Sequence, residues 1–551
     1  KEEGREGSRE SKATTERQQE TDAATDTENE SVAEAESEAE TERNSPMAGG
    51  VLELAGGGRA ASAADVPPEV AGRVLHAVLR RHGAHGGLVQ AFAGWPLQAL
   101  HLPHRFVRRG ARGAGSLLTT VGTIALTLDT LDLRHATLSA EGLARLGPFL
   151  GGLRVLDLSH CAGILRWDLL MHLQERLEEL RLADLRGCGS GQQLCALVSG
   201  LRRLRALDLS HTKLELAPLV FHVTKLSSLT ALDLRQDPKD MEWSVGDAEL
   251  AALLGLPLRR LGLPGTMLSA TSVYSLVQLT SLTELALANL VGIGKQSPLA
   301  TLTHIHSLTL RQSEVDDASV EGVLAVLSSL TKLDLEGNYV TGAGVLALAA
   351  AMPQLRVLNL AANDIGAARG SDHLCFTRLQ ALTDLSLSGN PIVAARHWLA
   401  RRSALQHLAF LHDMPSLTAL RLDGHGGGIE DGGVRYLTRL TNLTRLSLRD
   451  NTLSDRSARS LVLLTGLREL DVGGNGLSNS GIQQLTALAE LRVVNVSRTV
   501  VSDTALAHLT RLPRLRQLVV AHSRVTPATI DLLENWYPHI SVITDDQLTA
   551  E

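Results

Sequence analysis

Hydrophobic and polar positions alternate along this chain in one recurring pattern. Leu330, Leu333 and Leu335 stand at the spacing L-x-x-L-x-L, Asn338 follows three places after the last leucine, and Val340 two places after that. Alternating leucines with polar residues between them predict a short strand with one apolar and one solvated side. Asn at a bend predicts a side chain bonded to the local backbone. The T-G-A-G that follows, and then Val345, Leu346, Leu348 and Ala349, predict a capped helix whose apolar stripe packs behind the strand.

The same signal returns about seventeen times, at intervals of mostly about 24 to 27 residues, within the range of leucine-rich repeats. It runs from Leu97-Leu100-Leu102 and Leu128-Leu131-Leu133 through Leu204-Leu207-Leu209 and Leu443-Leu446-Leu448 to Leu515-Leu518-Val520. One unit cannot bury its own leucines, so the units must stack. The pattern resembles leucine-rich repeats. That resemblance implies an α/β solenoid over residues 97–545: a curved horseshoe with parallel strands on the concave face and helices or irregular turns outside. Ile540 to Ile543 reads as a last half-repeat closing the stack. Between strands the chain often reads L-S/T-D/A-x-G/A, as at Leu453 to Ala458 and Leu477 to Ile482, which places helix N-cap residues ahead of about two helical turns. This resembles the helix-backed repeats of intracellular proteins.

Upstream of the repeats the composition changes. Residues 1–45 hold 15 acidic and 6 basic side chains and almost no large apolar ones, and residues 1–63 are expected to be a disordered acidic tail and an Ala/Gly linker. The tail is either a solubilising or extraneous extension or an acidic interaction segment. From Asp65 to Leu79 the apolar residues return at helical spacing. Val66, Pro67, Glu69, Val70, Arg73, Val74, Leu75 and Val78 fit the start of an F-box, L-P-x-E-L-x-x-K/R-I-L/F-x-x-L. The likeness covers about fifteen residues, and the repeat-like segment at Leu97 begins too soon for a whole F-box. The segment also resembles the start of plant and algal F-box/leucine-rich-repeat-like proteins. An F-box implies docking to the adaptor subunit of a cullin-RING ubiquitin ligase, here through Pro67, Val70, Val74, Leu75 and Val78. The other reading of 64–96 is a helical cap over the first repeat.

Net charge is −7, but outside the first 45 residues it is +2, so bulk charge gives no reason to expect nucleic acid. The interior is leucine and alanine, since aromatics make up 3% of the chain. No run is long and apolar enough for a membrane span, no signal peptide opens the chain, and none of Cys161, Cys188, Cys195 and Cys375 sits at an end. Cys161 takes the Asn position of its repeat. Reduced thiols and an intracellular, cytoplasmic or nuclear, location are expected.

The candidate contact surface is the concave face of the first repeats. The strand column between the last two leucines contains Asp132, Asp157, Arg181, Asp208 and Asp233. A parallel row two places past the last leucine contains His135, His160, Asp184 and His211. Carboxylates and imidazoles one strand apart can take a basic partner or a metal. A protein contact is the expectation, with no metal and no cofactor. No nucleophile elbow or kinase signature appears, and Gly292 to Ser297 departs from a phosphate loop at Asn289 and Gln296. The chain therefore reads as a non-enzymatic protein-interaction module, with a ligase substrate adaptor as one role and a fixed scaffold in a large intracellular assembly as the other.

Overall fold

A computed structural model defines residues 99–101, 129–134 and most of 151–544, with breaks that include 237–246, 264–269 and 392–404. All of these belong to one compact unit, Pro67–Glu551. The acidic segment 1–63, the F-box-like helix and its docking residues, and His135 lie outside the described residues.

Each leucine signal becomes a strand. Among the described residues eighteen strands form one sheet, from Ala99–His101 to Ser541–Ile543. Every neighbouring pair is parallel and follows chain order. The middle leucines stay in register from rung to rung: Leu131 opposite Leu156, Leu207 opposite Leu232, Leu333 opposite Leu358, Leu446 opposite Leu470. The fold is a leucine-rich repeat solenoid. Its interior is the stacked leucine columns, nearly all without solvent contact. Each buried leucine contributes about 1.5–3 kcal/mol of transfer free energy, which is why one rung alone does not hold and a stack does.

The Asn role expected at 338 is observed and extends across repeats. Asn338 Nδ2 donates to the carbonyls of Leu335 (2.8 Å) and of Leu310 in the preceding repeat (2.7 Å), and its Oδ1 accepts from Ser313 N (2.9 Å) and Val315 N (3.0 Å). Asn475 repeats the arrangement on Leu448, Val472, Asn451 and Leu453. Cys161 fills the same position, buried, with its Sγ donating to the Leu133 carbonyl at 3.1 Å.

The helix caps form a second ladder. Thr341, Ser454 and Ser478 cap their helices, each accepting from the backbone N–H two residues on. Each is also held by an acid at the helix start of the preceding repeat. Ser478 N and Oγ donate to Asp455 at 2.7 and 2.5 Å, and Thr341 N and Oγ1 donate to Asp317 at 2.9 and 2.6 Å. The Asp of S/T-D thus serves its neighbour rather than its own helix. Asp455→Ala removes both bonds to the next cap and is expected to cost about 1–2 kcal/mol in chemical denaturation. A change within error would show that water replaces the carboxylate.

One expectation needs correction. Val345, Leu348 and Ala349 are buried, but Leu346 is 44% exposed. The inward face of helix Gly342–Ala351 includes Gly344, where a Cβ would collide with the Asp317 carboxylate. Close approach of the capping ladder, rather than a fourth large apolar residue, sets that face.

Candidate functional site

The exposed face of the sheet between Arg134 and Lys332 holds a groove of about 540 Å³. Its floor is made of small residues. Ala206 and Ala231 stand in register on adjacent strands, and Gly262 and Ala286 do the same one column over. Ala206 and Ala286 are half-buried, whereas Ala231 and Gly262 are buried. Gly262 is required by its neighbours, because an added Cβ would lie 2.6 Å from Asp233 Oδ1 and 3.2 Å from Arg235 Cγ.

The walls are charged, and most of the charge is paired within the chain. Arg134 grips Asp132 at 2.9 Å and reaches Asp157 at 3.7 Å. Arg181 binds Glu179 at 2.9 Å and approaches Asp157 at 3.7 Å from the other side. Arg235 makes a forked contact with Asp233, the shorter arm at 2.6 Å. These side chains fold back onto the carboxylate two residues before them or one rung away, a geometry that suits the planar guanidinium.

Four charged side chains remain without an ion pair among the described residues: Asp208, Arg260, Glu284 and Lys332. Asp208 accepts from Ser210 N (3.0 Å) and Ser210 Oγ (2.7 Å), and has no ion pair among the described residues. Burial raises its pKa, and the Asp233 carboxylate in register beside it adds to that rise. Arg260, Lys332 and Glu284, which stands in register beside Arg260, are exposed at the other end of the groove and form no ion pair among the described residues. The groove therefore presents Asp208, hydrogen-bonded by Ser210 but without an ion pair, together with the exposed Glu284, Arg260 and Lys332.

Of the residues expected from sequence, Asp157, His160, Arg181, Asp208 and Asp233 line this groove. Asp132 sits beside it, tied in by Arg134. His160, Asp184 and His211 occupy the corner immediately after the strand, at φ of 58°, 47° and 57°. Their backbone N–H groups donate to the next repeat, His160 to Ala183 and His211 to Arg235. His, Asp and Asn tolerate this left-handed conformation better than most side chains, which accounts for their presence at the corner. His160 Nδ1 stands 3.2 Å from Asp184 Oδ2. No group of three or more His, Cys, Asp or Glu able to hold a metal ion occurs among the described residues. Arg134, Arg235, Arg260 and Lys332 were not among the residues picked from sequence. Their signal was a basic residue beside a strand leucine, in the columns that flank the acidic one.

A second polar centre lies further along the sheet. Asp471 accepts from Gly473 N and Asn495 Nδ2, both at 2.9 Å, with Arg449 Nε at 3.9 Å. Burial pushes its carboxyl up to about 6, against the pull of the Gly473 N–H, Arg449 and Asn495. The folded chain thus holds a proton there at pH values where the unfolded chain has released it. Stability is expected to fall by about 3 kcal/mol as pH rises from about 4 through about 6, and then to level. Denaturation midpoints measured across that range check this, with Asp471→Asn flattening the slope. The same slope in the variant would assign it to another group.

Three stretches, residues 326–349, 439–462 and 465–485, match the family model described as leucine-rich repeat. They do not include Pro67 to Leu79. Comparison with curated proteins gives no match. Among solved structures, a leucine-rich repeat protein of Leptospira interrogans is similar at 16% identity and a TM-score of 0.34, over 83% of this chain and 98% of that one. An internalin of Listeria monocytogenes is similar at 16% identity and a TM-score of 0.24, over 81% and 92%. The mouse RP105/MD-1 complex gives 18% identity and 0.34, over 80% and 70%. Among the described residues no helix is long and apolar enough to cross a membrane. Stacked repeats with one open sheet face are characteristic of protein-interaction modules.

Proposed function

We propose that this chain is a protein-recognition module without catalytic activity, and that its partner binds the strand face at the groove between Arg134 and Lys332. The observation that supports this is the combination of a small-residue floor with the exposed Arg260, Glu284 and Lys332, which form no ion pair among the described residues. Charges that form no ion pair within the fold are available to a partner outside it, and small side chains between them leave that partner room to approach. The buried thiols Cys161, Cys195 and Cys375 fit an intracellular setting. Affinity capture with the full chain and with Arg260→Glu/Lys332→Glu tests the groove. Both side chains are exposed and free, so the fold should tolerate reversal. Partners that bind there are lost with the double variant, and an unchanged set of partners overturns the reading.

A finer role rests on the motif from Val66 to Val78. It supports a substrate adaptor of a cullin-RING ligase, with Pro67, Val70, Val74, Leu75 and Val78 docking the adaptor subunit and the groove holding the substrate. Leu75→Asp/Val78→Asp should then lose the ligase subunits and keep the groove partner. Recovery of the groove partner with no ligase subunit from either chain leaves a recognition module or fixed scaffold with a helical cap.

A further inference from the structure

Away from the groove, one charged row is not used by the fold. Arg468, Arg492 and Arg516 occupy the same place on three consecutive rungs, immediately after the first leucine of each signal. The backbone locks them in line: Arg492 N donates to the Arg468 carbonyl at 2.7 Å, and Arg516 N to the Arg492 carbonyl at 2.8 Å. Arg468 and Arg516 are exposed and Arg492 is half-buried. None of the three has an ion pair among the described residues, and the Nε of Arg492 is buried without an acceptor. The nearby carboxylates do not neutralise the row. Glu490 is held by Arg514. Glu469 stands in register with Arg445, which is itself bonded to Asp384, and forms no ion pair with the row among the described residues. Elsewhere on the sheet arginines fold back onto carboxylates, as Arg134, Arg235 and Arg311 do. These three do not.

We propose that the Arg468–Arg492–Arg516 row is a second binding surface, and that it takes the acidic face of a partner protein's helix. The chemistry follows from the guanidinium, a planar fork that binds one carboxylate per rung. The helix follows from spacing. Neighbouring rungs lie about 4.8 Å apart, so the row spans about 10 Å. Carboxylates at i, i+3 and i+7 of a helix span about 10.5 Å on one face. Three same-side residues of an extended strand span about 13 Å, beyond the row's length.

The test uses the full chain and two labelled, alanine-rich helical peptides in fluorescence anisotropy. One peptide carries Glu at i, i+3 and i+7, and the other has the same composition with Glu spread around the helix. The aligned peptide is expected to bind about tenfold more tightly, with affinity falling as salt rises. Arg468→Gln/Arg516→Gln, both exposed and so tolerated by the fold, should weaken the aligned peptide about tenfold, whereas Ala286→Arg in the groove leaves it unchanged. Equal binding of the two peptides overturns the proposal, as does full affinity in the double variant. Tighter binding of a single-stranded oligonucleotide of matched charge also overturns it, since the row would then serve a nucleic acid backbone.

Discussion

Asn338→Ala is expected to destabilise the chain by about 3–5 kcal/mol, among the largest effects any single polar substitution should have here. The side chain is 3% exposed and satisfies the N–H groups of Ser313 and Val315 together with the Leu310 carbonyl. Alanine leaves all three buried and unbonded, each at a cost of about 1–3 kcal/mol. These groups belong to the preceding repeat, so the damage crosses a rung interface. In a linear array such an interface couples the two halves, and the unfolding transition should broaden or split rather than merely shift. Asn442→Ala, at an exposed site bonded to Pro415, serves as the control and should cost less than about 1 kcal/mol. Chemical denaturation of both variants decides the matter. A loss below about 1 kcal/mol for Asn338→Ala would mean that water takes over the ladder.

Ala286→Arg should weaken binding of the strand-face partner at least about tenfold, or about 1.4 kcal/mol, while leaving stability within about 1 kcal/mol. Ala286 faces solvent between Gly262 and Thr309 in register, so a long side chain there fills the floor without entering the leucine core. It also places a third cation near Arg260 and Lys332. The control is Leu463→Arg, at a position 58% exposed just beyond helix Asp455–Leu461. Isothermal titration with the recovered partner should show the loss for Ala286→Arg alone.

Much of this arrangement was legible in the sequence because a repeat fixes its own register. Once Leu330, Leu333 and Leu335 are aligned with Leu355, Leu358 and Leu360, the strand, its facing column and the buried Asn position all follow. Cys161 is an example: its place in the repeat, rather than its chemistry, predicted a buried thiol. The legibility ended where side chains cross between rungs. Asp317 reads as an ordinary N-terminal helix acid, yet its bonds go to Thr341 of the next repeat. Arg134 and Arg235 read as loose surface charge, yet they bind the carboxylates two residues before them. That fold-back leaves Arg260, Glu284 and Lys332 exposed and without an ion pair among the described residues, which no count of acids and bases reveals. The His160, Asp184 and His211 row read as a binding column, and its residue types also suit the left-handed backbone corner where they stand. The F-box-like segment from Val66 to Val78 stands on its sequence pattern alone.

Site-specific photocrosslinking tests the strand face most directly. A benzoylphenylalanine at Ser307, in the groove, is compared with one at Tyr274 and one at Leu463, both exposed on helices or the turns that follow them. If the groove is the contact surface, the Ser307 probe gives a discrete adduct that disappears with Arg260→Glu/Lys332→Glu, and the other two give none. Adducts from Tyr274 or Leu463 with none from Ser307 would place recognition on the helix side and contradict the assignment.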